Sequence, residues 1–309
     1  MITLFSVPKP LEGEFRWIQE NAVASWCALG PEVEILLLGE EAGVGDLAAG
    51  TSARHLPELT RNECGTPRVD DIFRRAEQAA RQPLLGYINA DIILGSDFLA
   101  AVRIAAGLRG RFLVVGQRWN LKIDSAIDFS DAAWEGKLRN RVRAEGRLED
   151  PSGIDYFLYR RGLWPDIPPF ALGRTMWDNW LILSARRRRA MVIDATENIW
   201  AVHQIHGYAH HPQGAAGVWE GPEAQENERL AGGSFRLFTI RDATHRLAGG
   251  RIDRFRDEAH RRRERFMRPA LSAPAAWAER IGNIATRLGN SLLARISPRR
   301  GETPPEKKS

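Results

Sequence analysis

Leu84-Leu85-Gly86-Tyr87-Ile88-Asn89-Ala90-Asp91-Ile92-Ile93-Leu94 is apolar at nearly every position, with Asn89 and Asp91 as the exceptions. A run of this kind, with Tyr and Ile and no Pro, reads as a strand buried on both faces. Alternate residues of a strand share a face, so Asn89 and Asp91 are expected side by side. A carboxylate in that setting is costly unless it is paired, hydrogen-bonded or bound to a cation. A plain alternative is that Asp91 opens a turn and caps the next helix. Ser96, directly before Asp97-Phe98-Leu99, fits that cap better. Asp91 therefore reads as a carboxylate at a central strand end, where it can hold a metal–diphosphate.

Outward from this run, strands and helices alternate. Residues 2–7 form a first strand, closed by Pro8-Lys9-Pro10. Phe15, Ile18, Ala22, Trp26 and Leu29 recur at helical spacing and stop before Gly30-Pro31. Residues 33–38 give a second strand ending at Gly39-Glu40-Glu41, and a short third strand is expected within 54–59. A helix starting at Thr66-Pro67 places Val69, Ile72, Phe73, Ala76 and Ala80 on its apolar face. After the central run, the pattern predicts a helix over 96–108, a strand over 112–116, a helix over 131–143 and a strand over 154–159. A helix over 177–189, a strand over 191–195 and a histidine-rich loop over 200–217, entered by a strand-like 199–202, follow. This alternation implies an α/β fold, with a mostly parallel sheet and helices on both faces. Ligands of such sheets sit at the carboxyl ends of the strands, where Pro8-Lys9, Gly39-Glu40 and residues 89–91 converge.

Tyr87-Ile88-Asn89-Ala90-Asp91 resembles the Asp-x-Asp position of GT-A-fold glycosyltransferases of a family-2-like branch, with Asn89 in place of the first Asp. The resemblance extends over residues 1–247 in the order of the elements. It implies a GT-A (Rossmann-like) domain and a nucleotide-diphosphate sugar as donor. Pro8, Lys9, Glu40, Asn62, Asn89 and Asp91 fall where the family holds the donor. Arg61, Asn62 and Asp71 lie where similar enzymes contact the nucleotide or brace its loop. Ser152-Gly153-Ile154-Asp155-Tyr156 falls on the acceptor side, where Asp155 orients an acceptor hydroxyl or satisfies local backbone groups; Tyr156 and Trp177 are placed on the same side. The acceptor is expected to be a glycan or a lipid-linked molecule.

Two further constellations carry chemistry. In Gly173-Arg174-Thr175-Met176-Trp177-Asp178-Asn179-Trp180, an Asp set among tryptophans is a candidate general base with a raised pKa. First-turn stabilisation by the helix dipole explains it equally well from residue types alone. The resemblance favours the base, because the family's acidic base motif falls here, although Trp177 replaces its preceding acidic residue. Val202-His203-Gln204-Ile205-His206-Gly207-Tyr208-Ala209-His210-His211 holds four of the chain's seven histidines. Cys27, Cys64 and His55 are too scattered to complete a zinc site. A divalent ion, Mn²⁺ or Mg²⁺, held by a carboxylate, a histidine and diphosphate oxygens fits better. The resemblance implies one late histidine ligand beside Asp91. His203 and His206 are the candidates, with His203 preferred because it ends the strand-like 199–202.

Rival motifs find less support. Gly43-Val44-Gly45-Asp46-Leu47-Ala48 matches a dinucleotide fingerprint, but Glu40-Glu41-Ala42 separate it from the strand and would repel phosphates. It is read as a loop. There is no P-loop and no Gly-x-Ser-x-Gly elbow. A nucleotidyltransferase on a related sheet and a non-catalytic nucleotide- or glycan-binding module remain alternatives to glycosyl transfer.

The 309 residues have a net charge of +5. From Arg251 to Ser309 there are 15 Lys and Arg against 7 Asp and Glu, so the basic excess lies wholly in this tail. A nucleic-acid-binding catalytic domain is not indicated. Residues 248–298 are expected to form a basic helical extension, with 251–268 helical and broken at Pro269, and 299–309 a disordered tail. Trp277, Ile281, Ile284, Leu288 and Leu292 make an apolar stripe flanked by arginines. Such a stripe suits an anionic membrane surface or, equally, a protein partner. The N-terminus shows no signal-peptide pattern, no apolar run approaches a membrane span, and the cysteines have no motif spacing. A cytoplasmic location, with peripheral attachment at the inner face of the membrane, is the expectation.

Overall fold

The computed structural model describes residues 1–207, 214–233 and 238–272. His210, His211 and the stripe from Trp277 lie outside the described residues. The elements run β1 (Ile2–Ser6), α1 (Glu14–Ala28), β2 (Val33–Leu38), α2 (Val44–Ala49), β3 (Arg54–Leu56), α3 (Val69–Ala79), β4 (Leu84–Ile88) and β5 (Ile92–Ile93). There follow α4 (Ser96–Ala106), β6 (Phe112–Val115), β7 (Arg118–Leu121), α5 (Trp134–Glu145), β8 (Arg147–Leu148), β9 (Tyr156–Arg160) and α6 (Trp177–Arg187). The chain goes on through β10 (Met191–Asp194), β11 (Ala201–Gln204), α7 (Gly214–Glu220), α8 (Pro222–Leu230), β12 (His245–Ala248), β13 (Arg251–Arg254) and α9 (Glu258–Ser272).

Nine strands form the main sheet in the order β13-β12-β10-β6-β9-β4-β1-β2-β3. Within it β1 pairs in parallel with both β2 and β4, and β10 with both β6 and β12. β9 runs antiparallel between β4 and β6, and β13 antiparallel beside β12. Alternate side chains feed two cores. Phe5, Leu36, Tyr87 and Phe157 pack on one face with residues of α3 and α6, while Leu4, Leu37, Ile88 and Leu158 pack on the other with residues of α1 and α4. The mostly parallel α/β sheet covered on both faces is thus as the sequence predicts.

The central run is not one strand. β4 stops at Ile88, and β5 belongs to a second sheet, ordered β5-β11-β7-β8. Asn89, Ala90 and Asp91 make the corner between them, closed by Ile92 N–H donating to the Asn89 carbonyl at 3.2 Å. Asn89 and Asp91 therefore do not share a strand face. The polar pair is what ends the strand: both residues favour turns and gain partners at the sheet edge that the ladder would deny them.

Other departures are local. The 43–48 segment contains helix α2 rather than a loop; Gly43 precedes it at φ 84°, and a Cβ there would meet Leu11 Cβ at 2.9 Å. Ser96 is the first residue of α4, but its hydroxyl donates to Glu135 Oε1 at 2.9 Å and caps nothing. The helix expected over 251–268 begins only at Glu258. Gly249 and Gly250 both take positive φ, 56° and 76°, which turns the chain back so that β13 extends the main sheet past Leu247. α9 also continues through Pro269 to Ser272, where the Ser272 hydroxyl donates to the Arg268 carbonyl at 3.0 Å. Met267 of α9 is buried in the same core as α6, so this helix packs on the domain.

Candidate active site

Parallel pairing brings the ends of β1, β2 and β4 to one edge. The Ser6 hydroxyl donates to the Ile88 carbonyl at 2.6 Å, tying the chain before Pro8 to the chain before Asn89. Lys9 is fixed through its backbone: its N–H donates to Gln19 Oε1 at 2.6 Å, and Gln19 Nε2 donates back to the Lys9 carbonyl at 2.9 Å. The Lys9 ammonium lies 4.5 Å over the Phe15 ring. Burial lowers its pKa, against the attraction of Asp91 and Glu14.

The second sheet supplies the other half. β11 pairs antiparallel with β5, setting His203 opposite Ile92. The Asp91 carbonyl accepts from both the N–H and the Nε2 of Gln204, at 3.2 Å each. Gln204 is itself buried, with Nε2 also on the Ile18 carbonyl and Oε1 accepting from Asn21. This register carries the histidines to a carboxylate more than a hundred residues earlier. His206 Nε2 stands 3.1 Å and His203 Nε2 3.7 Å from Asp91 Oδ2. One donor atom from each of the three residues lies within 4.8 Å of the others. His203 is inside β11 and His206 just beyond it, so both histidines meet Asp91.

The donor set fits a divalent ion. Asp91 Oδ1 is buried with no hydrogen-bond partner among the described residues. Burial alone would raise the Asp91 pKa, but His203, His206 and Lys9 hold it well below the usual carboxylate range. The His203 pKa is lowered by burial, with Arg118 adding to the effect against the pull of Asp91. Its Nδ1 lies 2.9 Å from Asn120 Oδ1, and Asn120 Nδ2 donates to Glu149 Oε2 at 2.7 Å. That chain orients the ring and leaves Nε2 toward Asp91.

Asn89 has both ends of its amide engaged. Its Oδ1 accepts from the Tyr87 hydroxyl at 3.0 Å and its Nδ2 donates to Asp155 Oδ1 at 2.7 Å. Asp155 is buried, and its two oxygens also accept from Arg118 Nη1 at 2.8 and 2.9 Å. Arg118 thus faces carboxylates of the protein itself. Tyr87 feels the charges of Asp91, Asp155 and Asp178 together, and burial with these charges pushes its phenol far up.

Asp178 stands in the first turn of α6, which Trp177 opens after Met176, whose φ of 85° is unusual for a side-chain-bearing residue. Its pKa is pushed up to about 7, first by burial and then by the Asp155 charge, against a hydrogen bond from the Asn179 N–H at 2.8 Å. Trp177 packs inward at 5.2 Å from the Tyr87 ring and 5.5 Å from Phe157. The turn before α6 is held by α8: Asn227 accepts from the Ala171 N–H and donates to the Ala171 and Thr175 carbonyls. Glu223 accepts from Arg174 at 2.6 and 2.9 Å and from Asn62 Nδ2 at 2.7 Å.

Some expected site residues stand elsewhere. Tyr156 is on the opposite core face; its hydroxyl is buried, and a Cβ on Gly116 would sit 2.1 Å from it. Alternation along β9 forces this, since Phe157 takes the other face. The Glu40 side chain is 74% exposed, whereas Glu41 turns in to Arg61 at 2.8 Å. Asn62 spends Oδ1 on the Cys64 and Thr66 N–H groups and shapes its own loop. Asp71, with its pKa lowered to about 2, accepts from the Thr60 N–H and from Arg74 and Arg75, bracing that loop. Asn120, Glu149, Gln204, Glu223 and Asn227 were not singled out from the sequence. Their roles depend on partners 29 to 186 residues away, which no local pattern displays.

No family model matches the chain and no curated protein matches it. Among solved structures it is similar to S. aureus TarS 1-349 in complex with UDP-GlcNAc, at 14% identity over 75% of this chain and 66% of that one, with a TM-score of 0.48. It is also similar to glucosyl-3-phosphoglycerate synthase from Mycobacterium tuberculosis in complex with Mg²⁺ and uridine-diphosphate, at 14% identity over 67% and 72% of the two chains, TM-score 0.43. The same synthase with Mn²⁺, UDP and phosphoglyceric acid gives 15% identity over 67% and 71%, TM-score 0.43. At these scores the likeness bears on neither substrate nor mechanism.

Proposed function

We propose that this chain is a glycosyltransferase, moving a sugar from a nucleotide-diphosphate donor to an acceptor hydroxyl in glycan, polysaccharide or glycolipid synthesis. The carrying observation is the meeting of Asp91, His203 and His206 at the carboxyl edge of the sheet, with the Asp178 carboxyl, of pKa about 7, close enough that its charge acts on Tyr87 together with that of Asp91. It agrees with the GT-A resemblance of the sequence motif and with the α/β sheet that resemblance implies.

In this reading Asp91, His203 and His206 hold a divalent ion, Mn²⁺ or Mg²⁺. When bound, that ion supplies positive charge for the leaving diphosphate. Lys9 adds a cation at the same edge, and Pro8 positions it at the end of β1. Asn89 lines the corner and is held by Tyr87 and Asp155. Asn62 acts by shaping the 60–66 loop, and Asp155 by orienting Asn89 and Arg118. Asp178 takes the proton from the acceptor hydroxyl, since a base with pKa near the working pH is both available and strong enough. Trp177 sets the first turn on which Asp178 stands. An acceptor linked to lipid would match the basic tail and place the domain at an anionic membrane surface. No helix among the described residues is long and apolar enough to cross a membrane.

The test is hydrolysis of a panel of nucleotide-sugars with and without Mn²⁺. Metal-stimulated release of nucleoside diphosphate supports transfer; pyrophosphate release from a nucleoside triphosphate instead would mark a nucleotidyltransferase, and binding without turnover a recognition module.

A further inference from the structure

We propose that the groove between the β12–β13 hairpin and α9 binds a phosphate group, as a monoester or a diester, at a site separate from the donor edge. Five arginines line it: Arg186 from α6, Arg241 from the turn at 240–242, Arg254 from β13, and Arg261 and Arg263 from α9. A solvated run of charge comes from one segment, whereas these side chains converge from separate elements on one hollow. On α9 the inward face carries His260, Arg263 and Glu264 before Met267 enters the core, so the helix presents charge to the groove and apolar surface beyond it.

The protein answers only part of this positive charge. Asp242 is buried and accepts from Arg263 at 2.8 and 2.6 Å and from the Thr239 N–H at 2.8 Å, so both its oxygens are taken. The Arg186 side chain is 10% exposed; it donates to the Asp242 carbonyl and reaches Glu264 at 3.7 Å. Arg254 and Arg261 have no hydrogen-bond or ion-pair partner among the described residues. Arg241 meets Asp150 at 3.5 Å, both side chains being mostly exposed. Burial lowers the Arg186 pKa, and Arg254 lowers it further against Glu264 and Asp242. The His245 pKa, on β12, is lowered by burial and then by Arg254 and Arg186. Basic groups of α6, β12 and β13 thus repel one another across the groove, and an anion among them relieves that cost.

Guanidinium forks arriving from several directions match a tetrahedral oxyanion, which offers acceptor oxygens on every side, better than a planar carboxylate. The Phe255 and His260 rings stack 3.7 Å apart and form a wall shared with an adjoining cavity of about 200 Å³, which reaches Gln117 and Pro151. Asp194 and Glu197 line that second cavity, so an anion is drawn to the arginine end and an uncharged remainder of the ligand suits the other. Arg186 follows Asp178 on α6 by roughly 12 Å of helix, which sets this phosphate apart from a donor diphosphate at Asp91. A soluble phosphorylated acceptor and a phospholipid headgroup both carry such a group.

The experiment uses the full chain in EDTA, without nucleotide. Inorganic phosphate should raise the melting temperature above that in chloride of equal ionic strength, and calorimetry should show saturation at one equivalent. Arg254→Gln and Arg261→Gln, both at exposed positions, should each weaken phosphate binding by about tenfold. Arg251→Gln, on the same strand as Arg254 but outside the groove, should leave it unchanged. Equal losses from Arg251→Gln and Arg254→Gln would mean diffuse attraction and overturn the proposal. So would a wild-type chain that does not distinguish phosphate from chloride, a result that needs no variant to fold. Glycerol 3-phosphate competing with inorganic phosphate marks a soluble phosphorylated ligand; competition by phosphatidylglycerol vesicles alone marks a lipid headgroup, and either outcome supports the site.

Discussion

At Asp91, burial opposes ionisation while His203, His206 and Lys9 favour it, and these neighbours outweigh burial. At Asp178 no cation among the described residues answers, so burial and the Asp155 charge carry its pKa to about 7. In the proposed mechanism the two carboxylates take different tasks, one ionised to hold charge and one poised to exchange a proton. Asp178→Asn should lower kcat by a factor on the order of 10²–10⁴ with donor affinity nearly kept. In the wild type, kcat should rise with pH through about 7 as Asp178 loses its proton, and the variant should lack that limb. The stability effect has a definite sign. A carboxyl raised in the folded state binds more protons than the unfolded chain between about pH 4 and 7. Its contribution is complete below pH 4 and lost as pH rises through 7, so Asp178→Asn should flatten the fall in melting temperature over that window. An unchanged pH profile would return Asp178 to a helix-terminus role.

The corner between β4 and β5 is the element on which the site depends. Its residues were legible in the sequence; its geometry was not. Asp91 stood out because a carboxylate interrupts an apolar run, and the histidines because of their density. Whether 84–94 is one strand or two depends on β11 arriving to pair with β5, a contact between distant segments that periodicity cannot display. The same limit hid Gln204 and Asn120, ordinary polar residues until their partners are known. Gln204→Leu should remove the buried side-chain hydrogen bonds to the Ile18 and Asp91 carbonyls and from Asn21, costing about 1–3 kcal/mol and loosening metal-dependent donor binding. On α8, Asn227→Leu strands the Ala171 N–H and carbonyl. It should lower the melting temperature and reduce kcat more than it changes donor affinity, because the turn before Asp178 loses its brace; steady-state kinetics beside a thermal melt separates the two.

Over the whole molecule, the α/β class and the sheet with helices on both faces followed from alternation of patterns, since burial on two faces leaves a continuous apolar signature in each strand. The end of the domain did not, because highly charged sequence around Arg251 reads as helix until Gly249 and Gly250 turn it into a hairpin on the sheet edge. α9 packs on the domain through Met267 and through Arg187, which donates to the Ala270 carbonyl at 2.8 Å. A chain ending after Ser272 should therefore keep donor hydrolysis. If the remaining basic sequence meets anionic lipid, that truncation should abolish low-salt sedimentation with anionic vesicles; full-length protein that ignores such vesicles would remove the lipid-linked acceptor from the account. The claim on which all of this depends is a metal-assisted nucleotide-sugar site at Asp91. Calorimetric titration of a panel of nucleotide-diphosphate sugars into wild type and Asp91→Asn, each with and without Mn²⁺, addresses it directly. Wild type should bind in a Mn²⁺-dependent way and the variant, still folded, should lose that binding; equal binding by the two proteins would contradict a metal-assisted site at Asp91.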